Sequence, residues 1–249
     1  MLVLGWDIGI KNLSYCLVEY DNQSVEKLDK KTLTTEQVYK TCKIIDWGIV
    51  DLRDEEIIAQ ESLPKSKKKK ETEIGVKGKV KKAKVKKCKD MKLVDMGKRI
   101  KEKFDDLTAF RDVDYVVIEN QPVLKNPTMK SIQMMVFSYF VFNVDNIIDV
   151  SLLNANNKMK VCHYEVSEEL MKTVTKVKSK YTRNKKLSII HTNLMLQHLD
   201  ESNQFKELFN ESKKKDDLAD SYLMTLFFVA NKLNSIKKIK KSKQTESKI

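Results

Sequence analysis

The stretch "VLGWDIGIKN", residues 3–12, sets a carboxylate, Asp7, into an apolar run. Val3, Leu4, Trp6, Ile8 and Ile10 have the β-branched and aromatic character of a buried strand. An isolated carboxylate is expensive to remove from water, so a buried strand normally excludes one. What Asp7 faces is therefore the first constraint on any fold for this chain.

The surrounding pattern is one of strands first, then helices and strands in alternation. Residues 2–10 and 13–20 read as two strands joined by a tight connection at Lys11-Asn12, and "KIIDWGIVDL" (43–52) as a third. That order predicts an antiparallel meander at the start of a sheet. Residues 62–90 are Lys-rich and of low complexity; they cannot bury a core and are expected to form a disordered insertion. Residues 91–104 put Met91, Val94, Ile100 and Phe104 near one helical face. "YVVIEN" (115–120) is a short buried strand ending in a carboxylate, and 127–145 is a strongly apolar helix with Pro127 suited to its first turn. "IIDVSLLN" (147–154) predicts another strand and "VCHYEV" (161–166) one more. Two further helices follow, the last of them long, at about 216–233. The alternation predicts an α/β class with a mixed sheet. One domain over 1–231 and a basic flexible tail over 232–249 complete the expected organisation.

The net charge of +13 is concentrated in appendages. Residues 65–89 hold 13 Lys against 2 Glu, and residues 232–249 hold 7 Lys against 1 Glu, which leaves the remaining body at −4. Within that body "KTVTKVKSKYTRNKK" (172–186) carries seven Lys or Arg and no acid, interleaved with Tyr181. Such clusters suit a polyanion partner. No run approaches the roughly 18 apolar residues of a membrane helix, and the N-terminus lacks the order of a signal peptide, so an intracellular protein is expected. The four cysteines, at 16, 42, 88 and 162, form no C-x-x-C pair and read as free thiols.

Other acids occupy equally unusual places. Glu119 ends an apolar strand, and Asp216, Asp217 and Asp220 open a last helix whose remainder is too apolar to leave the core. Asp217 and Asp220, three apart, project from one helical face. Their mutual repulsion needs a compensating positive charge, and a divalent metal is the strongest candidate. Magnesium or manganese takes carboxylate oxygens, and a pair of such ions can clamp both attacking and leaving oxygens of a phosphodiester. The alternatives are plain: Asp216 and Asp217 can meet the helix macrodipole, Glu119 can face solvent, and Asp7 can cap a turn. Asp216, at i, i+4 to Asp220, can also stand in for Asp217. His191 and His198, seven apart, lack a third ligand of suitable spacing.

Together "GWDIGIKNLSYCLVE", "VIENQPVLKNPTMKSIQMMVFSYF", "RNKKLSIIHT" and "KKDDLADSYL" resemble the poxvirus-type Holliday junction resolvases of large DNA viruses. Those in turn are similar to bacterial and fungal mitochondrial junction resolvases. The resemblance implies a ribonuclease-H-like fold, a mixed central sheet flanked by helices. It implies that Asp7, Glu119, Asp217 and Asp220 are metal-binding catalytic acids, with Lys214 or Lys215 steadying the scissile phosphate. It further implies a homodimer using Mg2+ or Mn2+, two ions per active site, to place paired nicks in four-way DNA junctions. The service is DNA recombination and the resolution of replicated viral DNA in the host cell. Lys11, Asn12, Gln121, Lys125, Lys178, Lys180, Tyr181 and Arg183 are the expected DNA contacts. Rival readings are a less selective nuclease for branched DNA or RNA–DNA hybrids, a non-catalytic junction-binding protein, and an ATPase on the same core. The last is disfavoured because six glycines supply few phosphate loops.

Overall fold

A computed structural model describes residues 1–27, 34–62, 91–124, 126–161, 164–199 and 202–233. At its centre, β1 (Leu2–Asp7) pairs antiparallel with β2 (Leu13–Tyr20), and β2 antiparallel with β3 (Cys42–Val50). On its other side β1 pairs parallel with β4 (Tyr115–Glu119), and β4 parallel with β5 (Asp149–Leu153). The five strands thus run in the order β3-β2-β1-β4-β5, a mixed sheet that opens with the expected meander.

Helices cover both faces. The short α1 (Asn22–Lys27) and α2 (Thr35–Tyr39) lie between β2 and β3, and α3 (Glu55–Ser62) follows β3. One face is covered by α4 (Leu93–Asp106) and α5 (Pro127–Asn143). There Trp6 stacks on Phe104 at 4.6 Å, with Phe110 and Phe140 against its other edges. After β5 the chain makes a 3-10 turn, Ala155–Lys160, and then four helices: α6 (Glu168–Thr175), α7 (Lys180–His198), α8 (Asn203–Glu211) and α9 (Lys215–Phe227). Helix α9 lies on the second face and buries every residue from Leu218 to Phe227. Its fit to the sheet depends on Gly5, where a Cβ would fall 2.0 Å from Thr225 Oγ1 and 3.0 Å from the Ser221 carbonyl. The Ser14 hydroxyl donates to the Asp217 carbonyl at 2.6 Å, and the Trp47 indole to that of Leu218 at 3.2 Å.

Three expectations need correction. Strand β1 ends at Asp7 rather than at residue 10, because the chain reverses so tightly that a Cβ on Gly9 would meet the Asn12 carbonyl at 2.5 Å. No strand forms among the described residues of 161–166. In place of two late helices the described residues form four α-helices, since Ser167 and Ser179 cap new ones by accepting from the Leu170 and Thr182 amides. The expectations for residues 63–90 and for the tail beyond 233 lie outside the described residues.

Candidate active site

Side-chain alternation decides where the acids point. Along β1, Leu4 and Trp6 enter the core beneath α4 and α5, while Val3 and Gly5 face α9. Asp7 shares their parity. Along β4, Val116 and Ile118 face α4 and α5 and Val117 faces α9, so Glu119 joins Asp7 on the α9 side. The parallel register aligns Trp6 with Ile118, which leaves the two acids side by side at the carboxyl ends of adjacent strands. Helix α9 completes the group. Asp220 immediately precedes Ser221, whose carbonyl rests over Gly5, and Asp217 lies one turn earlier.

The cluster is sparsely solvated. Asp7 is 9% and Asp220 8% exposed. Burial, and then Glu119 within hydrogen-bonding reach, hold the Asp7 carboxyl well above the usual carboxylate range. Asp220 is raised as well, by burial against the opposing pull of Lys158. Lys158 comes from the 3-10 turn after β5, and its ammonium pairs with Asp220 Oδ2. Burial works against that ammonium, but Asp220, Glu119 and Asp7 more than offset it and raise its pKa. The Gln121 side-chain amide donates to Glu119 Oε2 at 2.9 Å, and its backbone amide is fixed by Gln133 Oε1 at 2.7 Å.

Asp216 and Asp217 have different partners. Asp216 is ion-paired with Lys185 of α7, which lowers its pKa despite burial. Asp217 is raised by burial and by Asp216; Lys214 Nζ stands 3.8 Å from its Oδ2. Two buried oxygens, Asp217 Oδ2 and Asp220 Oδ1, have no hydrogen-bond partner. The Ser188 hydroxyl near Asp220 is turned to Met159 Sδ, at 3.6 Å. Among the described residues no three acidic, cysteine or histidine side chains form a ready-made metal cage, Lys158 standing among the acids instead. An all-oxygen donor set with two carboxylate oxygens that make no hydrogen bond nevertheless suits a magnesium- or manganese-class ion.

The expected DNA contacts are dispersed around this cluster. Lys11 is exposed and Asn12 half-buried in the β1–β2 turn. Lys178, just before α7, is exposed, as are Lys180 and Tyr181 in its first turn, and Arg183 is half-buried. Lys185 lies over the Tyr181 ring at 5.1 Å while holding Asp216, so the basic helix is tied to the first turn of α9. Gln121 turns inward to Glu119 rather than standing free, and Lys125 lies outside the described residues. Lys215 is half-buried. His198 stacks on Tyr164 at 3.8 Å, a packing role. Sequence reasoning missed Lys158. The available signal was its place just after β5, a strand that the parallel order sets beside β4.

No protein-family model matches the chain. An uncharacterized protein of Acanthamoeba polyphaga mimivirus is 37% identical over 138 residues, 51% of this chain and 32% of that protein, so the match spans about a third of the relative's length. Among solved structures, the yeast mitochondrial Holliday junction resolvase Ydc2 superposes with a TM-score of 0.50 at 13% identity, over 92% of this chain and 78% of that one. The fowlpox virus resolvase in complex with Holliday junction DNA gives 0.49 at 18% identity, over 92% and 97%. The chain has the ribonuclease-H-like fold seen in Holliday junction resolvases.

Proposed function

We propose that this protein is a metal-dependent endonuclease that cuts four-way DNA junctions by phosphodiester hydrolysis. One observation carries the reading: acids from three separate elements converge at the carboxyl ends of parallel strands and keep two buried oxygens without a hydrogen bond. One enclosed ammonium, Lys158, faces several acids, and a divalent ion supplies the further positive charge that they call for.

In this reading Asp7, Glu119, Asp217 and Asp220 hold one or two divalent ions. When bound, such an ion supplies an activated water and neutralises charge on the leaving oxygen. Gln121 fixes the Glu119 carboxylate through its amide. Lys214, next to Asp217, is the better placed of the two neighbouring lysines to steady the scissile phosphate. The start of α7 grips the backbone through Lys178, Lys180 and Arg183, and Tyr181 gives a flat face for a splayed base.

A four-way junction has two-fold symmetry, and paired nicks call for two sites in a symmetric homodimer. Helix α5 offers an apolar surface for that contact, with Met134, Val141 and Phe142 exposed, Phe142 by 80%. Among the described residues no helix is long and apolar enough to cross a membrane. With a mimivirus protein among its relatives, the reading extends to resolution of replicated viral DNA inside the infected cell.

The test is to incubate purified protein with a mobile four-way junction, with magnesium or with chelator, and to map the nicks. Paired nicks on opposing strands that need magnesium are expected. Equal cutting of linear duplex, or preferential cutting of an RNA–DNA hybrid, overturns junction selectivity. Junction binding without any cutting overturns the enzyme.

A further inference from the structure

We propose that Lys158 is a tethered counter-ion that holds the acid cluster together before a divalent ion arrives and gives way when it binds. The inference rests on the reading that these acids take such an ion. Lys158 is one of the most enclosed lysines described, with its side chain 13% exposed against 11% for Asp220. Asp7 and Glu119 are the other acids close enough to act on its charge. Its ammonium therefore stands among three of the four acids, where a metal ion would also have to sit.

The two partners are mounted differently. Asp7, Glu119 and Asp220 stand on β1, β4 and α9, elements fixed by the sheet and the core. Lys158 stands on the 3-10 turn Ala155–Lys160, which contains no buried residue. That turn carries an Asn154 cap on the Asn156 amide at 2.9 Å and a Lys160–Asn157 hydrogen bond at 3.1 Å, and it rests on α7 and α9 through Met159 and Lys160. Lysine has a flexible four-carbon stem, so its ammonium can withdraw along it while the acids stay in place. Asp220 Oδ2 is taken by Lys158 and Oδ1 is left unpartnered, so an incoming ion meets one free oxygen before it displaces the ammonium from the other. The competition is unequal, because a doubly charged ion attracts the same carboxylates more strongly than a single charge does.

The experiment is a Mn2+ titration of the full chain, read by the electron paramagnetic resonance of free Mn2+, for the wild type, Lys158→Met and Lys158→Arg. Removing a competing charge at ion-pair distance is expected to tighten Mn2+ binding at least about tenfold in Lys158→Met. The metal-free form of that variant should melt below the wild type, and Lys158→Arg should follow the wild type in both respects. Unchanged or weaker Mn2+ binding by Lys158→Met overturns the proposal and leaves the metal reading standing. No Mn2+ binding by any of the proteins overturns both. Should Lys158→Met not fold, amine acetylation of the wild type read by mass spectrometry decides: Lys158 protected in chelator and modified with Mn2+ supports the exchange, whereas equal protection in both overturns it.

Discussion

Replacing Asp7 by asparagine keeps the shape of the side chain and removes one charge from the most crowded part of the sheet. Asp7 lies buried beside Glu119 within hydrogen-bonding reach. Two fully ionised carboxylates held about 4 Å apart would repel by about 4 kcal/mol at an effective dielectric of 20, an upper limit for this pair. A shared proton and the nearby Lys158 relieve part of this in the wild type. An asparagine amide can in addition donate to Glu119, so metal-free stability should rise by about 2 kcal/mol. For a chain of this size that corresponds to about 4–8 °C in Tm. Calorimetric unfolding in chelator measures it, and junction cleavage on the same preparation should be lost. Magnesium should raise the Tm of the wild type and leave that of Asp7→Asn unmoved. A lower Tm for Asp7→Asn in chelator would refute the reasoning, because Asp7 would then be capping the β1–β2 turn rather than waiting for a cation.

Gly5→Ala places a Cβ 2.0 Å from Thr225 Oγ1. It should cost at least about 3 kcal/mol by forcing α9 off the sheet, measurable as a lower midpoint in urea. Asp216→Asn should reduce cleavage only a few-fold, by releasing Lys185 and loosening α7, whereas Asp217→Asn should abolish cleavage while junction binding persists in a mobility-shift assay; equal losses would move the site to Asp216. Phe142→Lys should yield monomers in analytical ultracentrifugation and single, unpaired nicks; a persistent dimer would place the dimer interface elsewhere. Deleting residues 65–89, with their net +11, should flatten the plot of log affinity against log salt by roughly 0.9 for each DNA phosphate no longer neutralised, without removing metal-dependent cleavage.

Much of this was legible in the residues. The apolar run around Asp7, the strand ending in Glu119 and the helix opening on Asp217 and Asp220 are local patterns, and local patterns fix both element and facing. Glu119 and Asp7 share a face because each lies an even number of residues from a neighbour packed beneath α9, Val117 and Val3 respectively. The choice between Asp216 and Asp217 was not legible. What distinguishes the two in the structure is Lys185, which lies 31 residues away and pairs with the first of them. Lys158 was hidden for the same reason, since its partner Asp220 is 62 residues distant and nothing in "NANNKMK" marks one lysine from the next. The serine caps that split the late helices were visible but outweighed by the apolar content of the segment.

The chain order of the strands sets a timetable for the acid cluster. Asp7 emerges from the ribosome before Glu119, and Asp217 and Asp220 follow only with α9. That helix also provides much of the core on its face of the sheet, through Leu218, Tyr222, Leu223 and Leu226. The same docking event therefore finishes the hydrophobic interior and assembles the acids. A nascent or truncated chain ending before residue 215 lacks both, so unfinished copies carry no complete acid cluster while the polypeptide is still being made.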